Sequence, residues 1–140
     1  MKKILLVLFS TLCFITGCSN FNIGEKSDIK IEKNNVKFYI KEGTLTNDEA
    51  TFILENNSDK TLNYGEPFEI EIYEDKSWKK IEVELNFIMP LYDLKPGEKT
   101  ELNINWFYGY GSLNKGKYRL IKSVCFEGED AFYVASEFEV

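Results

Sequence analysis

From Val36 onward, apolar and polar side chains alternate with a period of two, and that alternation limits the folds open to this chain. Ala50, Phe52 and Leu54 alternate with Thr51 and Glu55, and Phe68, Ile70 and Ile72 with Glu69 and Glu71. Ile81, Val83 and Leu85 alternate with Glu82 and Glu84, and Leu102, Ile104 and Trp106 with Glu101, Asn103 and Asn105. Phe132, Val134, Phe138 and Val140 close the series against Tyr133, Glu137 and Glu139. Each run offers one face to water and one to a core, which is the signature of a half-buried strand. Turn chemistry separates the runs at Asn56-Asn57-Ser58-Asp59, Gly65-Glu66-Pro67, Asp75-Lys76-Ser77, Lys95-Pro96-Gly97, Asn114-Lys115-Gly116 and Gly128-Glu129-Asp130. Short strands with no helical stretch between them predict an all-β antiparallel sandwich of about seven to eight strands.

Two local expectations follow. Trp78 and Ile81 fall on opposite parities, which a bulge at Lys79-Lys80 would absorb. A final hairpin with Gly128, Glu129 and Asp130 as its loop sets Val124 against Val134, Leu120 against Phe138 and Arg119 against Glu139. In that register Lys122 faces Ser136 on the dry side, as at a sandwich edge where a long stem snorkels.

The N-terminus reads differently. Met1-Lys2-Lys3 precedes an apolar run from Ile4 to Ile15, then Thr16-Gly17-Cys18. A charged start, a short apolar stretch and small residues form a secretion signal over 1–17. The run falls short of the roughly 20 residues a membrane-crossing helix needs. Ser19 to about Asn35 is polar, and with Cys18 it reads as a flexible tether over 18–35, with a weak Ile29/Ile31 alternation that offers a short strand near its end. The folded domain is then expected over 36–140.

Composition narrows the function classes. Removing residues 1–17 from 140 leaves 123, enough for one domain with its own core. Lys2 and Lys3 leave with the signal, so 15 basic residues face 23 acidic ones and the net charge is −8. Such a chain has no basic stripe for nucleic acid and little electrostatic attraction to anionic headgroups. Cys13 lies in the signal, and Cys18 and Cys125 remain. The chain contains no histidine, which removes the commonest general base and transition-metal ligand.

Two constellations carry a resemblance. Ile15-Thr16-Gly17-Cys18 resembles the lipobox of bacterial lipoproteins, which implies diacylglycerol on the Cys18 thiol, cleavage before it, and an extracytoplasmic, lipid-anchored location. Two acyl chains give stable anchoring where one does not. Leu113-Asn114-Lys115-Gly116-Lys117-Tyr118 has the spacing of a tyrosine corner, with Tyr118 returning its hydroxyl to backbone just upstream. With Tyr64-Gly65-Glu66-Pro67-Phe68, Trp78, Leu94-Lys95-Pro96-Gly97-Glu98, Ile104-Asn105-Trp106 and Tyr110-Gly111-Ser112-Leu113, the sequence resembles bacterial immunoglobulin-like domains found on small lipoproteins. The resemblance spans about Val36 to Val140 and implies a sandwich and a surface location, with no catalytic residue, cofactor or defined ligand.

Candidate sites are few. Trp106-Phe107-Tyr108-Gly109-Tyr110-Gly111 sets aromatics beside glycines, and Phe107 and Tyr108 are the candidate contact surface; Trp106 and Tyr110-Gly111 read as scaffold. Glu69, Glu71, Glu82, Glu84, Glu137 and Glu139 alternate onto solvated faces, which is no place for a catalytic carboxylate pair. The oxygen-rich loops Glu55–Asp59 and Glu127–Asp130 lack the ligand spacing of a calcium loop. Cys125 sits on a wet parity beside Tyr133. The sequence therefore points to a non-enzymatic binding module at the cell envelope, with a protein or wall polymer as partner. A structural lipoprotein without a ligand is the alternative reading, and a histidine-free enzyme or inhibitor the remote one.

Overall fold

The alternating runs become strands in a computed structural model that describes residues 21–140. The signal segment, Cys18 and the first residues of the expected tether lie outside those residues. The described chain forms β1 (Asn22–Lys26), β2 (Val36–Ile40), β3 (Glu49–Asn56), β4 (Leu62–Gly65) and β5 (Glu69–Glu74). It continues through β6 (Ser77–Glu82), β7 (Leu91–Leu94), β8 (Lys99–Asn105), the one-turn α1 (Phe107–Tyr110), β9 (Lys117–Phe126) and β10 (Ala131–Glu139). One sheet has the order β2-β3-β8; in the other, β9 carries β10 on one edge and β4 and β5 on the other, extended by β7, β6 and β1. All these strand pairs are antiparallel, so the expected sandwich is the observed architecture.

The core lies where the two inner faces meet. Phe38 stacks on Phe52 at 5.1 Å, and Phe138 gathers Phe52, Trp106 and Tyr118 at 6.5, 5.6 and 5.8 Å. Phe52, Leu54, Leu62, Leu113 and Leu120 are fully buried. Burying a side chain of this size stabilises by about 1.5–3 kcal/mol. Asn56, also fully buried, ties the end of β3 down: its amide nitrogen donates to the carbonyls of Lys60 and Leu94 at 2.7 and 2.9 Å.

The described residues form ten strands rather than seven or eight, for two physical reasons. The first is a break in one strand. β5 pairs with β9 from Tyr118 to Ile121 and β4 pairs with it from Val124 to Phe126, so the two lie end to end, separated by Glu66-Pro67-Phe68. Proline has no N–H to give a sheet ladder. Lys122 sits opposite the break, and its ammonium donates to the carbonyls of Gly65, Glu66 and Pro67 at 2.7, 3.4 and 3.1 Å. The lysine on the dry face therefore does not snorkel from an edge. It supplies the donors that the broken ladder lacks.

The second reason is that the expected tether is largely part of the fold. β1 adds to β6, with Asn22 opposite Glu82 and Ile23 opposite Ile81. The chain then crosses the outer face of the large sheet. Ser27 N donates to Trp78 O on one side, and Ile31 bridges Tyr133 in parallel on the other, where Glu32 N donates to Tyr133 O. Polar composition does not loosen this strap, because an edge strand is held by backbone bonds.

Two registers differ from expectation. Asp75 and Lys76 both take positive φ, giving a two-residue turn, and β5 pairs regularly with β6 from Glu71↔Lys80 to Glu74↔Ser77. Against β5 no bulge interrupts Lys79-Lys80: Trp78 belongs to the outer face, 5.1 Å from Tyr73, while Ile81 belongs to the core; the register shift in this region lies on β1, between Ile23 and Lys26, opposite Lys79 to Ile81. β6 ends at Glu82, so Val83 and Leu85 do not continue a strand. In the last hairpin Phe132 faces Val124, Val134 faces Lys122, Ser136 faces Leu120 and Glu137 faces Arg119. The register is two residues away from the expected one, because Glu127 joins the loop; a shift of two keeps every side chain on its face.

Candidate functional site

The tyrosine corner is built as its spacing implies: Tyr118 Oη donates to Asn114 O at 2.8 Å, four residues upstream. Gly116 matters here for space, since a Cβ there would lie 3.2 Å from the Tyr118 ring. Trp106 is buried, with its indole N–H on Asn47 O at 2.8 Å. Tyr110 is buried as well and accepts the N–H of Ile70 at 2.9 Å. Burial pushes its phenol up to about 12, against the lowering effect of that bond. Between these anchors α1 presents Phe107 and Tyr108 to solvent, 48% and 93% exposed. The candidate contact pair is thus held at a fixed place by two buried neighbours.

Five of the six glutamates expected on solvated faces are exposed; Glu71 is not, at 1% exposure. It is a buried partner of Arg119, which was expected opposite Glu139 in an exposed pair. Arg119 Nη2 and Nε approach Glu71 Oε2 at 2.6 and 2.7 Å, and the guanidinium lies 4.7 Å from the centre of the Trp78 ring. The strap makes this burial possible: Ser27 Oγ lies 3.4 Å from Arg119 Nη2, and Asp28 pairs with Lys80 at 3.2 Å. Both guanidinium nitrogens converge on one carboxylate oxygen. Glu71 Oε1 is buried with no hydrogen-bond partner among the described residues.

Beside Glu71 the structure opens a cleft of about 420 Å³, walled by Phe68, Ile81 and Phe87 and edged by Glu69, Lys80 and Ser123. The sequence reading missed it. A signal was available in Ile70-Glu71-Ile72 and Tyr118-Arg119-Leu120-Ile121, where a charge interrupts an apolar run and marks a strand covered on both faces.

The remaining candidates separate. The two oxygen-rich loops do meet, since Ser58, Asp59, Gly128, Glu129 and Asp130 line one open groove. Yet Lys60 pairs with Glu129 there, and Asn56 Oδ1 accepts the Ser58 N–H at 3.1 Å. Among the described residues no three His, Cys, Asp or Glu side chains converge to hold a metal. Cys125 is a free, half-buried thiol opposite Ala131 and Asn63; in the observed register Tyr133 instead faces Ser123. Among the described residues no helix is long and apolar enough to cross a membrane.

Two antiparallel sheets, a core shared between them and a tyrosine corner at the start of β9 define an immunoglobulin-like sandwich. The family model of the bacterial Ig-like domain matches residues 32–139, and the chain belongs to that family. Its match begins on the strap, ahead of β2. No curated protein matches the sequence. Membership in this family supports a non-enzymatic module of the extracellular type.

Proposed function

We propose that this chain is a lipid-anchored, extracytoplasmic, non-enzymatic binding module of the bacterial cell envelope. The lipobox-like Ile15-Thr16-Gly17-Cys18 supports the anchor. The observation that carries the binding reading is the exposure of Phe107 and Tyr108 on a turn fixed by buried Trp106 and Tyr110. Exposed aromatics on a rigid mount lose little conformational entropy on binding. Phe21, Asn22 and Gly109 line one hollow, so this turn lies beside the end of the chain that leads to Cys18. Four residue steps separate Cys18 from Asn22, a reach of at most about 14 Å at roughly 3.5 Å per residue. The anchor would hold the domain against the envelope, with its contact surface towards a protein or wall polymer there.

Two variants in the native host test this reading. Cys18→Ser should abolish palmitate labelling and release the protein from membranes; normal membrane fractionation without label would end the anchoring claim. Phe107→Ser/Tyr108→Ser should leave the melting temperature unchanged while reducing crosslinked protein or retention on wall polymer at least tenfold. Undiminished capture would end the contact-surface claim.

A further inference from the structure

The segment between β6 and β7 divides its apolar side chains between the domain and water. Leu85 fills the space where a Cβ on Gly109 would sit, and Phe87 packs edge to face on Phe68 at 5.3 Å. The first half of the segment is thereby fastened to α1 and to the break between β4 and β5. The second half is left in solvent: Ile88 and Met89 are 76% and 81% exposed, and Leu91, just beyond Pro90, is 69% exposed. No charged residue falls between Glu84 and Asp93. Large apolar side chains exposed in succession, with no charge among them, mark a contact surface.

Position selects what covers this tip. Phe21 and Asn22 line a hollow with Glu82, Val83, Glu84 and Gly109, so the chain end that leads to Cys18 meets the foot of the segment. Cys18 lies at most about 14 Å from Asn22, and Ile88, four residues beyond Glu84, has a reach of about the same size from that foot. Lipid on Cys18 and the exposed tip would thus start from one corner of the domain. An anchor so close keeps that corner at the bilayer surface, where a contact too weak to recruit a free protein is sufficient. The segment suits the headgroup boundary rather than the hydrocarbon, because irregular backbone cannot leave water and only its side chains can enter. Pro90 has one donor fewer to keep hydrated. An acidic domain gains nothing from anionic headgroups, so the contact is apolar.

We propose that Ile88 and Met89 dip into the bilayer interface beside the lipid on Cys18, a second attachment that fixes the orientation of the domain and leaves Phe107 and Tyr108 to the partner. This contact rests on the anchoring reading above. The chain has two methionines, Met1 in the signal segment and Met89, so a methyl-labelled methionine reports on the tip of the mature protein without any substitution. The test takes the protein from native membranes into phosphatidylcholine nanodiscs, with isoleucine methyls labelled as well. Ile31, 38% exposed on the strap beside β10, is the reference. A nitroxide on the lipid acyl chains should broaden Met89 and Ile88 at least fivefold more than Ile31, and a soluble gadolinium chelate should broaden them at least fivefold less. Ile88→Ser should leave the melting temperature unchanged and cut the lipid effect on Met89 at least threefold. Equal responses of Met89 and Ile31 in palmitate-bearing protein retained on nanodiscs would overturn the proposal and leave the anchor standing. Protection from gadolinium without broadening by lipid would put protein rather than bilayer on the tip, and would overturn it too. Protein without palmitate would end the anchor and this contact together.

Discussion

Lys122 is a charge placed where a strand has been cut, and its titration should be visible in the stability of the whole domain. Burial pushes its ammonium down to about 8 from an ordinary 10.5, partly offset by the nearby Glu66 carboxylate. Below about pH 8 both folded and unfolded chains carry the proton, and the cost of burying the charge is constant. Above it the folded protein releases the proton while the unfolded chain keeps it up to about pH 10.5. The unfolded state then binds more protons, so stability rises with pH. At about 1.36 kcal/mol per unit the full shift is worth about 3.4 kcal/mol. About 2 kcal/mol of it returns between pH 7 and about 9.5, before tyrosine ionisation in the unfolded chain begins to oppose it. Urea unfolding of the wild type and of Lys122→Met across that range reads the difference directly, because every other titrating group is common to both. The wild type should gain about 2 kcal/mol relative to the variant. A parallel pH dependence in the two proteins would refute the reasoning and leave Lys122 no more than a polar plug.

Two further substitutions probe the parts that hold the site. Tyr118→Phe removes the corner bond to Asn114 O and should cost about 1 kcal/mol, a fall of roughly 3–6 °C in melting temperature; an unchanged transition would show that the bond contributes nothing. Arg119→Met strands a buried carboxylate and should cost about 3–5 kcal/mol, while Arg119→Met/Glu71→Leu should recover most of it. A double variant as unstable as the single one in denaturant unfolding would contradict the account of Glu71 as a charge that needs its partner.

The sandwich was legible because alternation reports which face of a strand is dry, and each of the expected core faces was the observed one, although β6 is shorter than its alternation. The errors share a cause: parity describes a face but not what lies over it. Glu71 and Arg119 sit on the outer face, where alternation expects water, and the strap from Ser27 to Glu32 covers them instead. The strap itself was hidden because an edge strand is held by backbone hydrogen bonds, and these leave no mark on composition. Register slipped by two in the last hairpin for a related reason, since such a shift preserves every face and turn composition alone fixes loop length. Phe107 and Tyr108 could be marked as exposed because glycines interrupt the core pattern around them. The cleft left only an indirect mark, the charges that interrupt the apolar runs of β5 and β9.

The two buried cations of β9 lie on opposite faces of the large sheet, and the outer one ties the N-terminal segment to the fold. On the inner face Lys122 spans the break with three backbone carbonyls; on the outer face, Arg119 binds Glu71 beneath the strap. An exposed ion pair is worth about 0–1 kcal/mol, whereas a buried one must keep both members or lose several. Lifting the strap would move Arg119–Glu71 from the second regime to the first and open Trp78 to water. The segment that begins at β1 therefore belongs to the domain it was expected only to tether. Tension on the chain at Cys18 would reach β1 and its pairing with β6 within a few residues, before it reached the core. β1 and the strap thus form one run of chain that closes over the buried pair on the outer face.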